Sequence, residues 1–229
     1  MPNEIISYLD VCLRESGNLQ KGMNFRLRRT YSVILMSVRP NAPYRDRVED
    51  DGSTLIYEGH DIARTKGITD PKAFDQPETT RTGLLTENGK FHTAAQKFKL
   101  GTSKPELVRV YEKIKAGIWS YNGMFELVDS WREYDGRRQV FKFKLIAVED
   151  IEPEALSSTV ILAHRRIIPT AVKLEVWRRD GGKCVQCGAT SDLHFDHVIP
   201  YSKGGTSITA ENVQLLCARH NLEKHDKIV

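Results

Sequence analysis

The chain has 229 residues, 40% of them hydrophobic, and its 34 basic and 30 acidic side chains leave a net charge of +4. This length allows one large domain or two small ones, and the small positive charge is only a weak indication of a polyanionic partner. No apolar run approaches the roughly 18 residues that a membrane-spanning helix needs. The opening segment has no basic region followed by an apolar block, which predicts no secretory signal and a cytoplasmic location.

The first 150 residues show a mostly β pattern with flanking helices. Apolar residues at helical spacing within 1–20 predict a short helix that ends near Gly17. Residues 60–90 are rich in Gly, Pro, Thr and Asp and predict a loop, and a helix is expected at 91–99. Runs of β-branched and aromatic residues predict strands. These strands lie at 30–38, 53–59, 107–114, 121–131 and 139–148, the last two joined by a turn at 134–138.

A composition shift divides the chain. The acidic, Ser-containing stretch 148–158 predicts a linker. We therefore expect an N-terminal domain at 1–150, a linker at 151–168 and a C-terminal domain at 169–229, in the α+β class. From residue 165 to the end there are ten Lys and Arg against seven Asp and Glu, so most of the positive excess lies in the second domain.

Three of the four cysteines lie in this C-terminal domain, whereas Cys12 is expected to be a buried small hydrophobe. Cys184 and Cys187 form one C-x-x-C pair, and Cys217 and His220 form a second pair after 29 intervening residues. Each pair supplies two ligands from one turn, and tetrahedral zinc binds Cys₃His sets readily. A thioredoxin-like redox pair is the alternative, but no βαβ pattern surrounds it. The spacing predicts a closed, structural zinc site.

The segment between the two pairs contains a second group of chemistry-bearing residues. Asp196 and His197 end an apolar-alternating strand, and a hairpin with a loop at Gly204–Gly205 is expected to follow. Asn212 is expected to open a helical segment that contains Leu215, Leu216, Asn221 and Lys224. A neutral imidazole can accept a proton from water near neutral pH. A lone histidine would more often be a core residue, but this context favours catalysis.

These residues resemble the zinc-knuckle branch of the HNH (ββα-metal) nucleases. The resemblance covers about 165–229 and lies in D-H-x-x-P-x-S-x-G-G followed by N-x-x-L-L-C-x-x-H-N-x-x-K. It implies that His197 is the general base, that Asp196 and Asn221 hold a catalytic Mg²⁺ or Mn²⁺, and that Asn212 orients the hairpin loop. Lys224 is expected to contact DNA. His220 stands where Cys is more usual, and Asn221 where many members have His, with His225 nearby.

The N-terminal domain is similar to the SRA fold, a twisted β-barrel that binds a flipped modified cytosine. The similarity covers about 25–147 and depends on the order of several short pieces, in which Tyr121–Asn122–Gly123 replaces Y-D-G. It implies a modified-base pocket. That pocket would be formed by Tyr44, Asp46, Tyr57 and Glu58. The alternative is that the two tyrosines are core residues and Asp46 is a surface charge. Arg109 is expected either to contact a DNA phosphate or to form a structural ion pair.

Together these patterns predict a restriction-type endonuclease, type IV or IIM-like, that reads 5-methylcytosine or a relative in double-stranded DNA and cuts with its HNH site. A homodimer is the simplest way for one such site per chain to cut both strands. The alternatives are an HNH nuclease whose first domain reads unmodified or differently modified DNA, and a non-catalytic zinc-knuckle DNA-binding protein. The intact set Asp196, His197 and Asn221 argues against the last.

Overall fold

The computed structural model describes residues 2–19, 21–49, 52–148, 167–200 and 203–224, and within them the chain has a mixed α+β architecture. This confirms the predicted class. The N-terminal elements are β1 (Ile5–Ile6), α1 (Tyr8–Arg14), β2 (Met23–Arg28), β3 (Tyr31–Met36), β4 (Arg47–Val48), β5 (Thr54–Glu58), α2 (Glu87–Lys99), β6 (Glu106–Lys115), β7 (Ile118–Tyr134) and β8 (Gln139–Ala147). The C-terminal elements are α3 (Thr170–Arg179), β9 (Leu193–His197), β10 (Val213–Cys217) and α4 (Ala218–Lys224).

One large sheet forms the N-terminal part. Its hydrogen-bonded order is β2-β3-β6-β7-β8-β5-β4, and β1 pairs with the start of β7. Only the pairing of β3 with β6 is parallel among the described pairs of this sheet. The two longest neighbours, β7 and β8, are joined by the tight turn that the sequence predicts after Tyr134.

Both faces of this sheet are buried, which explains why several of its strands read as continuous apolar runs. Along β3, Val33 packs with Val11 of helix α1 on one face, whereas Ile34 packs with Phe91 of helix α2 on the other. Successive side chains of a strand point to opposite faces. The two helices therefore cover opposite sides of the sheet.

Local sequence signals set the start of each covering helix. The Ser7 side chain accepts a hydrogen bond from the Asp10 N–H at the start of α1, and Thr86 accepts one from the Gly89 N–H at the start of α2. Such caps satisfy backbone donors that have no partner within the helix. Gly89 is required for another reason, since a Cβ there would lie 2.2 Å from the carbonyl oxygen of Glu78.

The C-terminal part is a hairpin covered by two helices. Strands β9 and β10 pair antiparallel, and α4 follows β10 directly, which produces a ββα unit. Its core joins Val172 and Val176 of α3 to Phe195 of β9 and Leu215 of β10. The described residues contain no helix that is long and apolar enough to cross a membrane.

Two predictions about elements need correction. Residues 213–217 were expected to be helical, but they form β10, and helix α4 begins only at Ala218. Short apolar runs are ambiguous between helix and strand, and here pairing with β9 decides. Strand β2 was not predicted, and α2 begins at Glu87, within the predicted loop. The predicted linker falls largely on 151–166, which lies outside the described residues.

Candidate active site and N-terminal cavity

Asp196 and His197 occupy the last two positions of β9, opposite Gln214 and Val213 of β10. Their side chains diverge, as neighbours on a strand must. The Asp196 carboxylate lies 2.9 Å from Lys224 Nζ, whereas Nε2 of His197 lies 2.9 Å from Ser207 Oγ in the loop that connects the strands. The strand end therefore carries a carboxylate and an imidazole, each oriented by a different partner.

Asn212 ties this connecting loop together. Its side-chain oxygen accepts a hydrogen bond from the Ile199 N–H at 2.8 Å, and its amide group donates to the carbonyl oxygens of Ile199 and Thr206 at 3.0 and 2.8 Å. Gly205 permits this close approach, because a Cβ there would lie 1.8 Å from the Ile199 oxygen and 2.8 Å from the Asn212 amide nitrogen. Asn212 thus links the two described ends of this loop, at Ile199 and at Thr206 beside Ser207, next to the end of β9.

Lys224 occupies a different place from the one expected of a DNA contact. Its side chain is only 1% exposed, and its ammonium group donates a 2.5 Å hydrogen bond to the carbonyl oxygen of His197 besides pairing with Asp196. Burial in an ion pair leaves this cation unavailable to a DNA phosphate, which corrects the prediction. Asn221 lies three residues earlier on α4, so the two side chains share a helix face.

The four predicted zinc ligands come together. One donor atom from each of Cys184, Cys187, Cys217 and His220 lies within 4.8 Å of the others. The Sγ atoms of Cys187 and Cys217 are 3.9 Å apart, and Nδ1 of His220 is 3.3 Å from Cys184 Sγ. Zn–S bonds of about 2.3 Å in a tetrahedron place sulfur atoms roughly 3.8 Å apart. The spacing therefore suits a tetrahedral metal such as zinc.

The pKa values of two thiols of the cluster shift in opposite directions. Against a backbone hydrogen bond from Ala189, burial and the neighbouring Cys184 and Cys217 side chains raise the pKa of Cys187. Burial opposes ionisation of Cys184, but hydrogen bonds from the backbone of Cys217 and from the His220 side chain outweigh it and lower the pKa of this thiol to about 6. A thiolate is the form that binds metal. All three cysteines have free thiols rather than disulfides.

A cavity of about 920 Å³ opens on the N-terminal part, on the side where β5 ends and α2 begins. Tyr44 and His60 stack in its lining with ring centroids 5.2 Å apart and planes inclined by 16°. Asn88 accepts a hydrogen bond from the His60 N–H and donates one to the His60 carbonyl oxygen, both at 2.8 Å. Four basic residues also line the cavity: Lys21, Arg64, Lys72 and Arg81.

His60 is neutral at physiological pH in this setting. Burial lowers its pKa to about 4, against a smaller opposing influence of Asp61. Its Nε2 lies 3.0 Å from the hydroxyl of Tyr57. The two stacked rings are therefore uncharged themselves, and the Lys72 ammonium lies over the Tyr44 ring, 4.9 Å from its centroid.

Three of the four residues expected to form a base pocket lie beneath this cavity rather than in its lining. Asp46 accepts hydrogen bonds from the Ser37 and Glu58 N–H groups, both at 3.0 Å, and burial raises its pKa to about 7. The Glu58 carboxylate pairs with the buried Lys142 at 2.8 Å, and Tyr57 is 1% exposed. Only Tyr44 of the expected set reaches the cavity. Strand β5 is buried on both faces, so its side chains support the cavity floor.

Arg109 forms a structural ion pair, which was the second of the two roles predicted for it. Its guanidinium group lies 3.4 Å from the buried carboxylate of Glu15, 3.1 Å from the hydroxyl of Tyr31, and over the Tyr31 ring at 4.4 Å. With 12% of its side chain exposed, Arg109 contributes to the core between the sheet and α1 rather than to a DNA surface.

The sequence did not single out Ser207 or His60. Ser207 is a loop residue, and its contact with His197 depends on the loop conformation that Asn212 sets. His60 directly follows a predicted strand, and that position was the one signal that could have placed it at the cavity.

Comparison with known proteins finds one family match, in the C-terminal part. Residues 184–227 match the family model described as HNH endonuclease, and this segment contains the ββα unit and its Cys₃His cluster, which are called the HNH domain below. No curated protein is significantly similar to this chain.

Several solved structures resemble larger parts of the chain. The SUVH5 SRA domain in complex with hemimethylated CG DNA is 23% identical with a TM-score of 0.45, covering 66% of this chain and 92% of that chain. Arabidopsis thaliana SUVH6 in complex with SAM is 16% identical with a TM-score of 0.43, covering 86% and 31%. ScoMcrA, a type IV phosphorothioation-dependent restriction endonuclease, is 15% identical with a TM-score of 0.41, covering 100% and 56%.

Proposed function

We propose that the protein is an HNH endodeoxyribonuclease that hydrolyses phosphodiester bonds in double-stranded DNA carrying a modified cytosine. The observation that carries the nuclease assignment is the end of β9. There the His197 imidazole is held by Ser207 at 2.9 Å, on a loop that Asn212 fixes, beside the Asp196 carboxylate. This arrangement lies within the segment that matches the HNH endonuclease model.

In this proposal His197 removes a proton from the attacking water. Ser207 restricts rotation of the imidazole, and Lys224 fixes the backbone of His197 by its bond to the carbonyl oxygen. Asp196 and Asn221 would hold a Mg²⁺ or Mn²⁺ ion, since a carboxylate and an amide oxygen are ligands that hard cations prefer. When bound, such an ion would neutralise charge on the scissile phosphate. The Cys₃His cluster would hold one structural zinc.

The reader function is proposed for the cavity on the N-terminal part. An extruded base needs an aromatic surface for stacking and polar groups for its Watson–Crick edge. Tyr44 and His60 supply the aromatic surface, and the partly exposed Asp61 carboxylate supplies a polar group in the same lining. The basic residues of the lining are suited to the phosphates that flank a flipped nucleotide.

Digestion of matched plasmids tests both halves of the proposal. With Mg²⁺ or Mn²⁺ present, plasmid methylated at cytosine should be cut and the unmethylated twin left largely intact. Equal cutting of the two plasmids would support the nuclease activity but contradict the recognition of a modified base. It would favour an HNH enzyme whose first domain reads unmodified or differently modified DNA. Binding without any cleavage would favour the non-catalytic zinc-knuckle protein.

Tyr44→Ala, made in the full-length chain with His197→Ala to prevent cutting, tests the cavity. Stacking on an aromatic side chain contributes about 1–3 kcal/mol per base, so affinity for a methylated duplex should fall roughly 5- to 150-fold. Tyr134→Ala, a change at a tyrosine that is 64% exposed and outside the cavity lining, is the matched control. Fluorescence of 2-aminopurine beside the modified base should rise on binding only where Tyr44 is intact.

A homodimer is proposed for double-strand cleavage, because one HNH site acts on one strand at a time. Two-fold symmetry would match that of the duplex. Sedimentation of the protein with and without DNA measures the assembly. A monomer that still makes concerted double-strand breaks would contradict the dimer while leaving the nuclease assignment intact.

A further inference from the structure

The segment of residues 3–6, which ends in strand β1, hydrogen-bonds to both parts of the molecule. On one side the Asn3 N–H donates to the Tyr121 carbonyl oxygen at 2.6 Å, and Ile5 pairs with Ser120 of β7. On the other side the Phe195 N–H of β9 donates to the Asn3 carbonyl oxygen at 3.0 Å, and a β-bridge joins Glu4 to His194. This short segment therefore links the large sheet to the strand that carries Asp196 and His197.

A buried polar cluster makes a second link. Lys173 of α3 is fully buried, and its ammonium group lies 2.9 Å from the Glu112 carboxylate of β6 and 2.6 Å from the side-chain oxygen of Asn122 on β7. Asn122 also donates to Glu112 at 3.0 Å, and the Thr170 hydroxyl donates to the same carboxylate. Helix α3 belongs to the HNH core, whereas β6 and β7 belong to the sheet.

The third link is the backbone itself, which passes directly from the core of the large sheet into the core of the HNH domain. Ile167 is buried in the core of the large sheet, and its N–H donates to the Gly52 carbonyl oxygen at 2.5 Å. The next residue, Ile168, is buried in the core of the HNH domain. Two consecutive residues therefore contact different cores. Whatever the conformation of the preceding segment, the two domains meet directly at this point.

We infer that these three links fix the HNH centre at one position relative to the N-terminal cavity, so that the phosphodiester bond attacked lies at a set distance from the recognised base. In this inference Lys173 and Asn3 are positioning residues, which act on cleavage through the placement of β9 and α3. A buried ion pair is weak evidence of stability but specifies one geometry when every partner is satisfied. The relation to cleavage rests on the proposed function, whereas the rigid docking does not.

Two pairs of full-length variants test the docking. Asn3 has a φ of 63°, which glycine adopts readily and proline, fixed near −65°, does not. Asn3→Pro should therefore break the β1 link, whereas Asn3→Gly should keep it. Glu112→Gln with Lys173→Met removes the ion pair without leaving one charge buried alone, and Arg178→Met removes an exposed cation from the same helix as its control.

Single-molecule energy transfer gives a readout that does not require activity. Dyes attached through non-natural amino acids at the exposed positions Lys104 and Leu222 report the distance between the domains. We expect one narrow distribution for the wild type and both controls, and a broad or shifted distribution for the two disrupting variants. A broad distribution in the wild type, or a narrow unchanged one in both disrupting variants, would overturn the docking.

The positions of the cuts complete the test. On DNA with a single methylated cytosine, the wild type and controls should cut one dominant bond, and the disrupting variants should spread their cuts over several bonds with total cleavage retained. Unchanged cut positions in variants whose energy-transfer distribution has broadened would overturn the role in positioning. Absence of cleavage by the wild type would instead reject the proposed function, and energy transfer would still decide the docking.

Discussion

At the scale of single residues, His197 is the side chain on which the nuclease assignment depends most. His197→Ala should leave folding and DNA binding intact and reduce cleavage by about 10²- to 10⁴-fold, the contribution typical of a general base. Ser207→Ala should reduce it less, because the imidazole remains but loses its 2.9 Å partner.

Nicking assays at matched protein concentration measure this loss. His92→Ala, which removes a half-buried histidine of α2 outside the HNH domain, is the control and should cut as the wild type does. Activity of His197→Ala near the wild-type rate would reject His197 as the base.

His60 gives the N-terminal part a dependence on pH. The folded protein holds the pKa of His60 near 4 by burial, below its usual value of 6.5. The stability that this neutral ring contributes is therefore fully present above pH 6.5 and is lost as the pH falls towards 4. Asp46, whose pKa is raised to about 7 by burial, acts in the opposite direction over the same range.

A comparison with His60→Gln separates the two contributions. The free energy of unfolding of the wild type relative to this variant should decrease by about 2–3 kcal/mol between pH 7 and pH 4.5. Denaturant unfolding at the two pH values measures it. His92→Gln, at a histidine with a smaller lowering of pKa, should show a lesser change, and an equal or larger one would contradict the assignment to His60.

Residue types and spacing were sufficient to predict the Cys₃His cluster, because C-x-x-C and C-x-x-H each bring two ligands onto one turn. They were insufficient for the cavity. Asp46 and Glu58 carry the polar groups that a base edge requires, yet both are buried and satisfied by backbone N–H groups or by Lys142. The packing of segments that are distant in the sequence determines which face of a strand lines a cavity. A short sequence motif therefore does not predict which side chains reach it.

At the scale of elements, the loop between β9 and β10 depends on one side chain. Asn212 makes three hydrogen bonds to backbone groups of this loop. Asn212→Ala leaves those groups without partners, at a cost of about 1–3 kcal/mol for each that stays buried. We expect reduced stability of the HNH domain and a loss of cleavage that approaches that of His197→Ala.

Asn212→Asp distinguishes the roles of the amide. Its carboxylate can still accept from the Ile199 N–H but cannot donate to the carbonyl oxygens of Ile199 and Thr206. Thermal unfolding and cleavage should both lie between those of the wild type and Asn212→Ala. Full cleavage by Asn212→Ala at a temperature where it is folded would show that the loop does not orient His197.

Strand β10 shows what the sequence could not decide at this scale. The run 213–217 is apolar enough for either a strand or a buried helix, and the helix of the ββα unit begins only after its last residue. Pairing with β9 over five residues selects the strand. The long strands β7 and β8, by contrast, were predicted because β-branched and aromatic residues recur over many positions in each and a turn separates them.

At the scale of the whole molecule, we expect metal binding and folding to be coupled in the C-terminal domain. Small modules of this kind obtain much of their folding energy from zinc, so Cys217→Ser should unfold the HNH domain while the sheet domain remains folded. Metal analysis after dialysis should find one zinc per wild-type chain.

Cys12→Ser is the matched control, since Cys12 is a partly buried residue of α1 and lies outside the metal cluster. It should retain zinc and unfold as the wild type does. Wild-type protein that lacks zinc after dialysis and yet keeps its C-terminal fold would contradict the structural role. His225, which lies outside the described residues, is not required by the donor set.

The HNH domain is not contiguous in sequence, because its hairpin is completed by residues near the start of the chain. One edge of β9 pairs with β10, and the other receives Asn3 and Glu4. A C-terminal fragment cut at the predicted linker would therefore expose an unpaired strand edge, of the kind through which β proteins aggregate. An HNH domain moved into another protein would need a segment that replaces Asn3 and Glu4 at this edge of β9.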